Sequence, residues 1–385
     1  MLDEFLLDIG YDEEQISMIR SIFPRNMYSE STLLYNFKNL YNYLKRNGLT
    51  NRDFIRVTMT IPNILSTSIE NIKIRISGLS VYGFNRLDAF TIFKNYPYII
   101  EISNQKIKNK MDKLYELGFP KENIVQMLIH DTSIFTIDSS SLKKRFLSFL
   151  DLGYSSDDAI SILTAVPELF DLSNSALQKK MEEFYHLGFM DKDVVRITSY
   201  LPELFTDQKG FVEAKFNDLL EYGYSKSNII MIVKKIPIIL KNKYLDEVNS
   251  HIEFLLDFGF SMEEIISISS QNPYIFLYSV ENLQDKLHGM LKLSLSKEVI
   301  LRMFHTLPIL FGYDLHSIER KIQFYRDIHI IGAILECPSY LKYHLTFIQS
   351  RYHFLKSFFT ISSENYEDLF LPESEFQKKF LLMNS

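Results

Sequence analysis

LGYSSDDAISILTAVPELFDLSNSALQKKMEEFYHLG, Leu152 to Gly188, carries the pattern that decides the fold. The glycine at each end fits the position just past a helix C-terminus, where a left-handed backbone costs no Cβ clash. Apolar residues six and nine after Gly153, Ala159 and Ile162, share one face of a short first helix. Pro167 offers no N–H, so that helix is predicted to stop just before it. PELF then reads as a short turn carrying two apolar residues inward. Ser173, twenty after Gly153, is a good N-cap. A longer second helix runs from there to Gly188 with apolar residues at helical spacing.

The same reading repeats along the chain. Gly48, Gly83, Gly118, Gly153, Gly188 and Gly223 follow at steps of 35, and Gly259 after 36. Gly10 opens an earlier, longer repeat, and Ser294 stands where the next glycine is due. Pro24, Pro62, Pro97, Pro167, Pro202, Pro237, Pro273 and Pro308 each lie 14 after their repeat's Gly or Ser, whereas Thr132 replaces one proline and Pro338 marks a shortened last repeat. The apolar columns are Ile16, Phe54, Ala89, Ile124, Ala159, Val194, Ile229, Ile265, Ile300 and Ile19, Val57, Ile92, Met127, Ile162, Ile197, Ile232, Ile268, Met303. Further N-caps are expected at Ser68, Ser103, Asp138, Ser279 and Asp314. No stretch alternates like a strand and no linker interrupts the array. The expected fold is an all-α solenoid of about ten helix-turn-helix repeats, one body over 1–358, followed by an acidic tail or cap at 359–385.

Composition narrows the function. Of the 385 residues 46% are hydrophobic and 23% charged, which excludes a mostly disordered chain. A net charge of −6 excludes a generally basic nucleic-acid binder, so such binding needs a local patch. The single cysteine, Cys337, excludes an intramolecular disulfide framework and a cysteine-based zinc knuckle. Apolar runs are too short for a membrane span. The opening MLDEFLLDIGYDEEQ is acidic and resembles neither a signal peptide nor a transit peptide, so no targeting segment is read and the compartment stays open. No phosphate-binding glycine loop or nucleophile elbow occurs. The nine histidines, five of them between His305 and His353, do not pair at metal-ligand spacing. Neither enzyme activity nor a cofactor is expected, and the chain is expected to be a monomer.

The repeat GFSMEEIISISSQNPYIF, Gly259 to Phe276, and the ending CPSYLKYHLTFIQSRYHFL, Cys337 to Leu355, resemble the mTERF (mitochondrial transcription termination factor) family. The resemblance covers roughly Leu7 to Phe358. It implies a superhelix of three-helix repeats, two α-helices and a 3-10 turn. It also implies nucleic-acid binding in organelle gene expression: transcription, its termination, ribosome assembly or splicing.

A basic column gives that expectation residues. Eight before each closing glycine, the second helix carries Arg75, Lys110, Arg145, Lys180, Lys215, His251, Lys286 and Lys321, with Arg351 in the shortened repeat. Helical phase puts the column beside the apolar stripe, where a long side chain holds its charge out to water. Arg75, Lys110, Arg145, Lys286, Lys321 and Arg351 have no acid three or four residues away. A like-charged row with a pitch of roughly 10 Å fits a polyanion; a solvated helix flank is the other reading. Residues 38–110 hold 12 basic and 4 acidic residues, the strongest local patch, while 111–301 hold 19 and 28. An acidic column, Glu116, Asp151, Glu221 and Asp257, faces elsewhere on the helix. Two functions follow as alternatives: a binder of duplex DNA or structured RNA through the phosphate backbone, or a solenoid holding a protein or peptide partner.

Overall fold

The structure is a computed structural model that describes residues 1–24, 29–362 and 364–380, with side chains for all of these but 242–246. It is built from α-helices and 3-10 turns, and no strand occurs among the described residues. First helices such as Asn51–Thr60, Ser156–Ala165 and Met262–Gln271 are ten residues long. Each opens on a capping box, in which Thr50, Ser155 or Ser261 accepts from the backbone N–H three residues on and that residue's carboxylate returns the bond. Each ends on a residue that has left the helical region, φ −132° with ψ 73° at Ile61 and 75° at Val166, followed by proline as the first residue of the 3-10 turn. The second helices start on the expected caps: Ser68, Ser103, Asp138, Ser173, Ser279 and Asp314 all accept a backbone N–H.

The repeat glycines are left-handed. At Gly188 (φ 103°) an added Cβ would lie 3.3 Å from Ile230 Cδ1 of the next repeat, so both conformation and space ask for glycine. Ser294 (φ 57°) and His329 (φ 60°) take the same conformation with a side chain. His329 lies 35 after Ser294, so the period persists to the end. The last repeat loses its residues within the first helix, Ile331–Glu336, six residues instead of ten. The two apolar columns form the core: all are buried except half-buried Ile16.

By internal contacts the chain falls into two compact bodies, Met1–Glu182 with Val194–Gln208, and Glu183–Asp193 with Lys209–Ser385. Within each body a buried hydroxyl pair joins neighbouring repeats. In the first, Tyr11 meets Thr58 and Tyr154 meets Thr198 (2.5 Å); in the second, Tyr224 meets Ser269 (2.8 Å). The Thr or Ser hydroxyl gives its proton to the helix carbonyl four residues back, at Phe54, Val194 or Ile265, so the tyrosine donates to it. Burial pushes the Tyr11 and Tyr224 phenols up, Tyr224 to about 12. Where the residue after the glycine is Phe84, Phe119, Phe189 or Phe260, the matching position of the next repeat is Leu128, Leu163, Val233 or Phe304.

In the second body the segment after 361 adds one more turn and helix, Tyr366–Phe370 and Glu373–Phe380. Leu369, Phe370, Phe376 and Phe380 are buried, and Tyr340 stacks on Phe370 with ring centroids 4.1 Å apart.

Candidate nucleic-acid interface

Second helices place the basic column, and its side chains turn toward the following repeat. Lys110, Arg145, Lys286, Lys321 and Arg351 are 5–8% exposed and His251 2%. Lys180 and Lys215 are half-buried; Arg75 alone is exposed. The charges land mostly on backbone carbonyls at the end of the next repeat's turn. Lys321 donates to Leu341 O at 2.6 Å, Lys286 to Phe311 O, and Lys180 to Asp207 O and Gln208 O. Arg351 donates to Leu369 O and Leu371 O and pairs with Glu373 at 2.8 Å. Arg145 donates to Asn174 Oδ1 at 2.6 Å, and Arg75 reaches Ile102 O only at 3.5 Å. Lys215 pairs with Asp218 on its own helix.

These carbonyls end a helical turn and lack an internal partner, so a cation is favoured there by bonding and by dipole. Burial holds the Lys110, Lys286 and Lys321 ammonium groups below the usual lysine range, opposed by Asp138 at Lys110 and by Asp314 at Lys286. The expectation that the column holds its charge out to water is thus corrected for Lys110, Arg145, Lys286, Lys321 and Arg351. The side chains of Arg145, Lys286, Lys321 and Arg351 clasp one repeat to the segment that follows it. At Lys286 and Lys321 the missing acids have a physical reason too: the backbone supplies the acceptor.

A different basic row does face water. Lys38, Lys73, Lys108 and Lys143 lie 35 residues apart, each ten before a repeat glycine, and all four are exposed. They sit on consecutive second helices of the first body, Glu30–Arg46, Ile69–Gly78, Asn104–Glu116 and Ser139–Asp151. Two positions along a helix is a turn of about 200°, so this row points away from the clasp column. Lys38 lies over the Phe5 ring at 5.5 Å and Lys73 over Tyr43 at 5.6 Å, which leaves their ammonium groups exposed above aromatic supports. Among the described residues none of the four is in an ion pair. At the same repeat position the chain continues with Gln178, Glu213, Asn249, Gln284 and Glu319, so the basic run ends within the first body.

Around the row, Lys45, Arg46, Arg52, Arg56, Arg75, Arg86 and Lys106 are also exposed, so ten of the 12 cations between 38 and 110 reach water. One groove of about 400 Å³ opens here, lined by Tyr43, Lys73, Ile76, Phe84, Arg86 and Phe90. It lies where the second helix stops early, at Gly78, and a 3-10 turn, Leu79–Tyr82, completes the repeat. Arg86 is fixed at its rim by two bonds to Asn47 Oδ1. The signal for the row was in the sequence, at the same 35-residue period as the clasp column, but Lys143 falls outside the 38–110 patch.

A family model described as mTERF matches residues 4–244 and 212–366. No curated protein matches the chain. The matched spans cover both bodies and both kinds of column, and from Gly48 onward the described repeats show the helix, 3-10 turn and helix that the resemblance implied. The chain belongs to the mTERF family of helical-repeat proteins.

Proposed function

We propose that this protein binds duplex DNA or structured RNA through its phosphate backbone, and that the first body makes the contact. The observation that carries the reading is the exposed row Lys38, Lys73, Lys108 and Lys143, one unpaired cation per repeat on four consecutive second helices. A regular row of cations fits a regular row of phosphates, and such contacts set position more than sequence. Family membership supports the same reading, and the role that fits it is in transcription, its termination or RNA metabolism. Arg75, the one exposed member of the clasp column, belongs with the row; the buried members support it by fixing the stacking of repeats.

The test is the salt dependence of binding, followed by fluorescence anisotropy with a labelled duplex and a structured RNA. Changing Lys38, Lys73, Lys108 and Lys143 together to Ala makes the log–log salt slope on duplex DNA shallower by about 3–4, since each phosphate contact adds about −0.9. All four are exposed, so helical content stays unchanged. An unchanged affinity and slope refutes this interface and favours a protein-binding solenoid.

A further inference from the structure

Around Gly83 the array breaks its own polarity at three positions. Two residues before the glycine other repeats carry Arg46, Glu116, Asp151, His186, Glu221 and Asp257; here Val81 stands. Nine before it they carry Asn39, Asn109, Lys144 and Lys179; here Ile74 stands. Four after it they carry Arg52, Glu122, Asp157 and Lys192; here Leu87 stands. The core buries none of the three. Val81 is 79% exposed, Leu87 74% and Ile74 65%, and the first two are the most exposed large apolar residues among those described.

Each is the chain neighbour of a residue lining the groove of about 400 Å³: Lys73, Ser80 and Arg86. The groove exists because the helix Ile69–Gly78 has ten residues where Asn104–Glu116 has 13. Its apolar lining includes Tyr43 and Phe90, with ring centroids 5.7 Å apart. Lys73 lies over the Tyr43 ring, and Arg86 is fixed by Asn47 Oδ1 at 2.9 Å. Lys45 and Arg46 are exposed on the preceding second helix. None of these four cations is in an ion pair among the described residues. The acids nearby are engaged: Asp53 and Asp88 close the capping boxes of their own helices.

Aliphatic side chains offer nothing to a phosphate backbone, whereas an exposed apolar patch with a polar rim is the mark of a protein interface. We propose that the surface around Gly83 docks an acidic amphipathic segment of a partner protein. Its apolar side chains enter the groove and cover Ile74, Val81 and Leu87, and its carboxylates meet Lys73 and Arg86. The apolar contacts hold the segment, and the cationic rim selects it and sets its direction. This is a second activity of the first body, and Lys73 is the one member of the lysine row that borders it.

A random-peptide display library selected on the full chain supplies the probes. The variant carrying Ile74→Ser, Val81→Ser and Leu87→Ser together is the counter-target, and fluorescence anisotropy measures the labelled peptides. The enriched peptides combine Leu or Phe with Asp or Glu, and they bind Leu87→Ser and Arg86→Glu about tenfold more weakly than wild type, the loss of an interface hot spot. The three replaced side chains are exposed, so the triple variant keeps its helical content; if it does not fold, Leu87→Ser alone serves as counter-target. Duplex DNA binds the triple variant as tightly as wild type. Changing Lys38, Lys108 and Lys143 to Ala leaves peptide affinity unchanged, so this docking surface and the phosphate-backbone interface fail separately. Any of three results overturns the proposal. Either no peptide is enriched over the counter-target, or the enriched ones lack acids or bind Leu87→Ser as tightly as wild type, or the triple variant loses duplex binding in step with peptide binding, which makes the patch part of the nucleic-acid interface.

Discussion

The Tyr224–Ser269 pair makes a prediction in which the two halves of one hydrogen bond differ in cost. Tyr224 is 2% exposed and its hydroxyl donates to Ser269 Oγ at 2.8 Å. Ser269 has a second bond, to Ile265 O at 2.7 Å, whereas the Tyr224 hydroxyl has no partner but the serine among the described residues. Tyr224→Phe therefore leaves a serine that is still bonded and removes one ordinary bond, about 0.5–1.5 kcal/mol. Ser269→Ala leaves a buried phenol without an acceptor, about 1–3 kcal/mol. The double variant replaces both groups by apolar ones, the arrangement already present at Phe260 and Phe304, and costs about 1 kcal/mol less than the two single changes added together. Urea unfolding of the four proteins at pH 7 gives the cycle. If the single costs add to within about 0.3 kcal/mol, or if Tyr224→Phe costs more than Ser269→Ala, the assignment of donor and acceptor is wrong.

The same phenol titrates near 12 in the fold and near 10 when unfolded, so stability is retained below pH 10 and lost as pH rises toward 12, by up to about 2–3 kcal/mol. Tyr224→Phe has a correspondingly smaller alkaline loss, measured by urea midpoints at pH 9 and pH 11. Ser294→Gly and His329→Gly relieve left-handed strain and each raises stability by about 0.5–1 kcal/mol in chemical denaturation. Ile162, fully buried, costs about 2–5 kcal/mol as Ala; no loss would mean the repeat register is misplaced.

The fold was legible because its punctuation is made of glycine and proline, whose backbone demands do not depend on neighbours. The site was less so, for a reason visible in two columns. Lys110 and Lys108 differ by two positions, are both basic, and recur at the same period, yet one is buried and the other exposed. What separates them is which side of the helix packs against the next repeat; at Lys286 and Lys321 the acceptor waiting there is a main-chain carbonyl, and main-chain acceptors leave no trace in a sequence. The absence of an acidic partner therefore marked a clasp, where side chains alone suggested an unsatisfied charge. His329 carries no sequence signal for a related reason: its left-handed conformation is imposed by the repeat and not advertised by the residue type.

Because the clasps address mostly carbonyl oxygens, and every amino acid has one, this joint does not depend on which repeat comes next. The tyrosine–hydroxyl joints do depend on it: Tyr154 needs Thr198 or its like one repeat later, whereas Phe119 accepts Leu163 and Phe189 accepts Val233. An array joined this way has interchangeable junctions and matched ones. Repeats can be duplicated, deleted or transplanted at a phenylalanine junction with the clasp intact, while the same operation at a tyrosine junction strands a buried hydroxyl unless both partners travel together. Lengthening or shortening of this kind of protein, by evolution or by an engineer, is thereby channelled to particular joints.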